Sequence, residues 1–191
     1  MNIRDVIHGV RTMLLACLLA ASLASPSRAG ERPSFGARSG FELASSAALR
    51  WAADARLVYI ENDEALSTEG DATRWGYLFR SASLDRSRAY SVRDGRILVA
   101  EDLEMRFEAP ALQTQWLDSA EALAIAEREG GRNYRTKHQG SARTMLLMRG
   151  AFQDSDPDPA TWTVVYTSPG APALFVMVDA IDGKVRRTWR G

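Results

Sequence analysis

The stretch from residue 160 to residue 190 constrains the fold more than any other part of the chain. Ala160-Thr161-Trp162-Thr163-Val164-Val165-Tyr166 is joined through Ser168-Pro169-Gly170 to Leu174-Phe175-Val176-Met177-Val178-Asp179-Ala180-Ile181-Asp182-Gly183-Lys184-Val185. β-branched and aromatic residues at alternate positions suit pleated strands, and an Asp-Gly pair at the end of such a run predicts a tight reversal into a further short strand. A chain that ends this way commits to antiparallel sheet.

Earlier residues repeat the pattern. Ser39 and Glu42 have the spacing of a capping box, and Leu43, Ala47, Ala48, Trp51, Ala52 and Ala55 follow at helical intervals, so a helix is predicted over residues 41–55 with Trp51 as its core anchor. Strand-like runs follow at residues 56–60, 74–80 and 89–92, the last turning at Asp94-Gly95 into residues 96–99. Trp75, Tyr77 and Phe79 fall on one face by period-two alternation. The polar stretch 61–73 reads as a hairpin loop, and residues 101–116, broken by Pro110, read as a connection between halves.

A second helix is predicted from an Asp118 N-cap with Glu121 three residues on, stopped at Gly130-Gly131. Residues 132–142 read as polar and irregular, and residues 144–148 as another strand. Trp75 and Trp162 stand 87 residues apart, and Asp94 and Asp182 stand 88 apart. Matched order and nearly equal spacing indicate an internal duplication. The expected fold class is therefore α+β, with two tandem units over residues 39–108 and 117–191, each a helix laid on its own small antiparallel sheet.

The N-terminus has the build of a secretory signal. Arg4 and Arg11 precede an apolar run over residues 13–24, and Ser27-Arg28-Ala29 offers a cleavage site, with a cut after Ala24 as the alternative. The run is shorter than the roughly 20 residues that span a bilayer, so periplasmic or secreted release is expected rather than a stable membrane span. Cys17 is the only cysteine and lies inside that run. Loss of residues 1–29 would remove Arg4, Arg11, Arg28 and Asp5, leaving 21 basic and 23 acidic residues and no thiol for a disulfide, a metal or catalysis. So balanced a charge gives no global field for nucleic acid. Residues 31–38, with Pro33 and Gly36, read as a flexible leader.

The second half resembles a PepSY domain. The likeness rests on Asp118-Ser119-Ala120-Glu121-Ala122-Leu123-Ala124-Ile125-Ala126, on Trp162-Thr163-Val164-Val165-Tyr166 and on the closing Val178-Asp179-Ala180-Ile181-Asp182-Gly183-Lys184-Val185. Residues 92–97 of the first half keep the turn and lose the preceding Asp-Ala, which makes that half a degenerate copy. What the resemblance implies is a PepSY/cystatin-like fold and a non-enzymatic role: modulation or inhibition of a peptidase by an exported bacterial envelope protein.

The residues themselves demand no particular chemistry. His138 has no sequence neighbour to position it as a base and reads as a solvated loop histidine. Asp154, Asp156 and Asp158 begin like a calcium loop, but Pro159 stands where Gly is needed and Val165 where Glu is needed, so turn chemistry accounts for them better. No catalytic residue, cofactor or metal site is expected. Asp179 with Asp182 would make an enzyme only by converging in a cleft. The binding candidates are Arg186, Arg187 and Trp189 in a terminal run composed like an interface, against the plainer reading of a last strand whose Trp packs on the core while its Arg residues face water. Exposed sheet edges offer a second mode, by strand addition. A protein or peptide partner in the envelope is the leading expectation, and the alternative is an apolar ligand held between helix and sheet near Trp75 and Trp162.

Overall fold

The computed structural model describes residues 33–103, 109–150 and 159–191. Helix α1 spans Ala37–Trp51, and four strands follow: β1 (Arg56–Asn62), β2 (Trp75–Ser81), β3 (Arg86–Arg93) and β4 (Arg96–Asp102). Helix α2 (Ser119–Ala126) passes through a π-helical turn (Glu127–Gly131) into α3 (Arg132–His138), and four more strands complete the chain: β5 (Ser141–Met148), β6 (Thr161–Ser168), β7 (Ala171–Asp179) and β8 (Val185–Arg190). The predicted signal segment and the aspartates at 154, 156 and 158 lie outside the described residues.

The expectation of two tandem units, each with its own small sheet, is overturned. All eight strands form one antiparallel sheet in the order β4-β3-β2-β1-β5-β6-β7-β8, and residues 33–191 make one compact unit. The joint is the pairing of β1 with β5, where Tyr59, Ile60 and Glu61 face Met148, Leu147 and Leu146. Two separate four-stranded sheets would leave β1 and β5 as apolar edges, and joining them satisfies both sets of backbone groups at once. The helix-then-four-strands order does occur twice, but inside a single β-rich body.

The helices cover one face of the sheet. There Trp75, Tyr77 and Phe79 of β2 join Trp162, Val164 and Tyr166 of β6 and Val176 and Val178 of β7 in one core, as their alternation predicts. Trp75 and Trp162 are fully buried and meet edge to face at 6.2 Å, and Trp116 adds a third ring 6.1 Å from Trp162. Each of the two strand tryptophans donates its indole N–H at 2.7 Å to the main-chain oxygen two residues before a helix, Phe35 for Trp75 and Leu117 for Trp162. A second apolar set, including Val58, Leu78, Leu146, Met148, Val165 and Phe175, is buried on the opposite face, on which no described helix packs.

Several local expectations change. Helix α1 begins four residues before the predicted start, and its buried stripe is Ala37, Gly40, Ala44 and Ala48. Small residues let it lie close to the sheet: Tyr77 donates its hydroxyl to the Ala37 carbonyl at 2.6 Å, and a Cβ at Gly40 would collide with the Tyr77 hydroxyl oxygen. Trp51 is only partly buried at the margin of the core, beneath the Arg88 guanidinium. The expected leader is pinned where it is described, since Phe35 pairs with Ala72. Residues 109–116 are core as well as connection, because Leu112 and Trp116 are buried and the Leu112 N–H bonds the Leu57 carbonyl.

The capping box at Asp118 forms as predicted, but Gly130-Gly131 does not stop the helix. Gly130 takes φ of 140°, the chain rolls through the π turn, and residues 132–138 continue as α3 instead of an irregular stretch. A Cβ at Gly131 would run into the Tyr166 ring, so the backbone passes over that tyrosine only as glycine.

Candidate functional site

The terminal hairpin β7–β8 carries every sequence-predicted binding residue. Two aspartates build its loop. Asp179, buried at the end of β7, accepts the main-chain N–H groups of Ile181 and Asp182 with Oδ1 at 2.8 and 3.2 Å and holds Arg186 Nε on Oδ2 at 3.0 Å. Asp182 accepts the Lys184 N–H at 2.9 Å and pairs with its ammonium at 2.7 Å, and those bonds hold its carboxyl below the usual range. Asp94 and Gly95 both have positive φ in their two-residue turn, whereas in this longer loop only Gly183 does, at 72°, so the expected tight reversal at Asp182-Gly183 opens into a wider loop. The two carboxylates serve the loop and do not converge on a shared cleft.

Past that loop the pairing with β7 skips one residue: Val185 faces Val178 and Arg187 faces Met177, which leaves Arg186 as a bulge turned to Asp179. From Arg187 onward the ladder is regular. Ala173 and Gly191 exchange both main-chain hydrogen bonds at 3.1 Å, and the register from Leu174↔Arg190 to Met177↔Arg187 continues from that pair. Antiparallel pairs alternate between bonded and non-bonded. Arg187, Trp189 and Gly191 therefore turn their N–H and C=O groups to β7, while Thr188 and Arg190 turn theirs outward. Strand β8 ends the sheet, and no described strand lies beyond it.

The side chains alternate as well. On the face away from the helices, Trp189 stacks on Phe175 with ring centroids 4.9 Å apart and planes 7° from parallel, and the Arg187 guanidinium lies 5.3 Å from the indole centroid. Trp189 is therefore half-buried against the buried ring of Phe175, on the face where no described helix packs. On the helix side, Arg190 lies 5.3 Å over the Tyr134 ring and 3.3 Å from His138 Nε2. His138 is the last residue of α3 rather than a loop residue, and its ring lies 5.1 Å from Tyr134. Arg186, Arg187, Thr188 and Arg190 are all exposed.

The structure thus brings Arg186, Arg187 and Trp189 to one strand but gives them different tasks. Arg186 is engaged by the loop, and Arg187 and Trp189 lie on the outermost described strand. Arg190, Phe175 and Tyr134 belong to the same site. Arg190 and Phe175 were within reach of sequence reasoning through the two-residue alternation of β7 and β8, whereas Tyr134 required α3 to exist. Among the described residues no cluster of three or more metal-ligating side chains occurs. No described helix is long and apolar enough to cross a membrane.

Comparison with known proteins adds the fold alone. No family model and no curated protein matches the chain. Among solved structures it is similar to a protein of Clostridium difficile 630 provisionally described as a lipoprotein, with a TM-score of 0.54 and 14% identity over 79% of this chain and 92% of that one.

Proposed function

We propose that this protein is an exported, non-enzymatic module of the bacterial periplasm or cell envelope that binds another protein or peptide, with a peptidase as the first partner to test. The observation that carries the reading is β8 itself: an exposed outer strand whose Thr188 and Arg190 backbone groups point away from the sheet. Such an edge can take a further strand, with main-chain bonds giving affinity and flanking side chains giving selectivity. The signal-like N-terminus and the resemblance of residues 117–191 to PepSY domains support export and a regulatory rather than catalytic role. An apolar-ligand carrier is disfavoured, because Trp75 and Trp162 are filled in by each other and by Trp116.

The test is capture from an envelope extract with the tagged protein, beside the variant Thr188→Pro. Proline removes an N–H that the β7 ladder does not use, so the fold survives and the edge is blocked. A specific protein recovered by wild type and lost with Thr188→Pro, followed by inhibition assays on any peptidase among those recovered, is the expected result. A partner retained equally by Thr188→Pro overturns the edge reading.

A further inference from the structure

We infer that His138 and Arg190 form an acid-sensitive latch between the end of α3 and the end of β8, closed while the imidazole is neutral and opened by its protonation. The inference concerns how β8 is held and not what it binds, so it stands or falls apart from the proposed partner. Arg190 Nη1 lies 3.3 Å from His138 Nε2, and its guanidinium lies 5.3 Å from the centroid of the Tyr134 ring. A guanidinium donates hydrogen bonds and never accepts them. His138 therefore receives it only as the neutral ring with its proton on Nδ1. Once Nε2 carries a proton, the contact sets donor against donor and one positive charge against another.

The surroundings hold the two groups together and supply nothing to offset the new charge. Tyr134 packs on the imidazole at 5.1 Å and donates its hydroxyl to the Pro172 carbonyl at 3.0 Å, which fixes its ring at the start of β7. Ser168, at the end of β6, donates its hydroxyl to the His138 carbonyl. On α3 itself, Arg135 is taken by Glu127 at 2.6 and 3.1 Å, and Lys137 is exposed. The groups of β6 and β7 bonded to this end of α3 are Ser168, Ala171 and Pro172, none of them charged, and β8 contributes Arg190. Among the described residues no carboxylate forms an ion pair with His138 or Arg190. The carbonyl end of a helix favours an imidazolium by about two- to fivefold at an exposed site. Against it, two unit charges at contact in water repel by about fivefold, and the lost hydrogen bond weakens the tie by about two- to tenfold more. The balance opens the latch in acid. What it releases is the last pairing of the described sheet, Ala173 with Gly191, joined by two main-chain bonds at 3.1 Å beside Arg190.

The experiment is amide hydrogen exchange on the full chain at about pH 8 and about pH 5, either side of the ordinary histidine value of about 6.5, with each rate divided by the intrinsic rate at that pH. Two amides report: the Ala173 N–H, bonded to the Gly191 carbonyl at 3.1 Å, and the Leu112 N–H, bonded to the Leu57 carbonyl of β1 at 2.8 Å. Protection at Ala173 is expected to fall at least about fivefold in acid while that at Leu112 holds. His138→Gln keeps an acceptor that does not titrate and leaves His8, the chain's other histidine, in place, so it should hold Ala173 at both pH values. His138→Arg carries the charge permanently and should leave Ala173 at its acid level at both. Ala173 protection that does not change with pH, a fall that persists in His138→Gln, full protection in His138→Arg, or an equal fall at Leu112, which would mark loss of the whole fold, each overturns the inference.

Discussion

Asp118 is the residue whose loss should cost the fold more than its local helix can explain. Its Oδ1 accepts the N–H of Ser119 at 2.7 Å in its own helix and the N–H of Arg38 at 3.0 Å in the first turn of α1, eighty positions away. Ser119 Oγ accepts the neighbouring Ala37 N–H at 3.1 Å, and Glu121 closes the capping box by accepting the Asp118 N–H at 3.0 Å. The residue before α1 is Gly36, which has no side chain to cap with, so α1 takes its cap from the start of α2. Losing one N-cap costs about 1 kcal/mol, with a range of roughly 0.5–2. A carboxylate near a helix N-terminus adds about 0.3–1 kcal/mol. With two helices sharing the carboxylate, Asp118→Ala should destabilise the protein by about 2–3 kcal/mol.

At this chain length that is a fall in Tm of about 5–10 °C. Asp118→Asn keeps the acceptor and loses only the charge, so it should cost about 1 kcal/mol, less at high salt. Glu121→Ala is the reference that affects α2 alone. Urea unfolding gives the energies, and hydrogen exchange at Arg38 reports whether the distant helix has lost its cap. The reasoning fails if Asp118→Ala costs no more than Glu121→Ala, or if Arg38 exchanges at its original rate.

Three further outcomes follow from the packing. Gly131→Ala places a methyl group against the Tyr166 ring and should destabilise by about 1–3 kcal/mol in urea unfolding, as overpacking does; a neutral result would mean that the π turn can shift aside. Burial pushes the phenols of Tyr77 and Tyr166 far above their ordinary value, with nearby carboxylates (Asp118 and Asp63 for Tyr77, Glu127 for Tyr166) adding to it, so a spectrophotometric titration of the native protein should show neither ionising before the fold gives way. Burial raises the Asp63 carboxyl against the opposing pull of Ser91 and Arg74. A raised acid favours folding below the unfolded value of about 3.9 and loses that contribution as pH rises through the folded value. Asp63→Asn should therefore gain stability relative to wild type as pH is raised from about 4 to 7. The opposite slope would show that Arg74 and Arg93 outweigh burial.

What the sequence determined by itself is local. Alternation placed Trp75, Tyr77 and Phe79, and likewise Trp162, Val164 and Tyr166, on one face, because side-chain direction in a strand follows from parity alone. The Asp118 capping box and the Asp94-Gly95 turn were legible for the same reason, since each is made within a few residues by groups whose conformational preferences are intrinsic. What only the tertiary structure decided is whatever depends on partners distant in sequence. The union of β1 with β5 made one sheet where two were expected, Trp116 turned a connecting segment into core, and α3 formed from a polar stretch because Tyr134 could bury against Tyr166. The candidate site divides in the same way. That Arg186, Arg187 and Trp189 lie in a terminal strand was readable from the sequence. That Arg186 is taken up by Asp179, while Thr188 and Arg190 present the open backbone, was set by a one-residue bulge in the ladder, and no local pattern encodes a bulge whose partner strand is needed to define it.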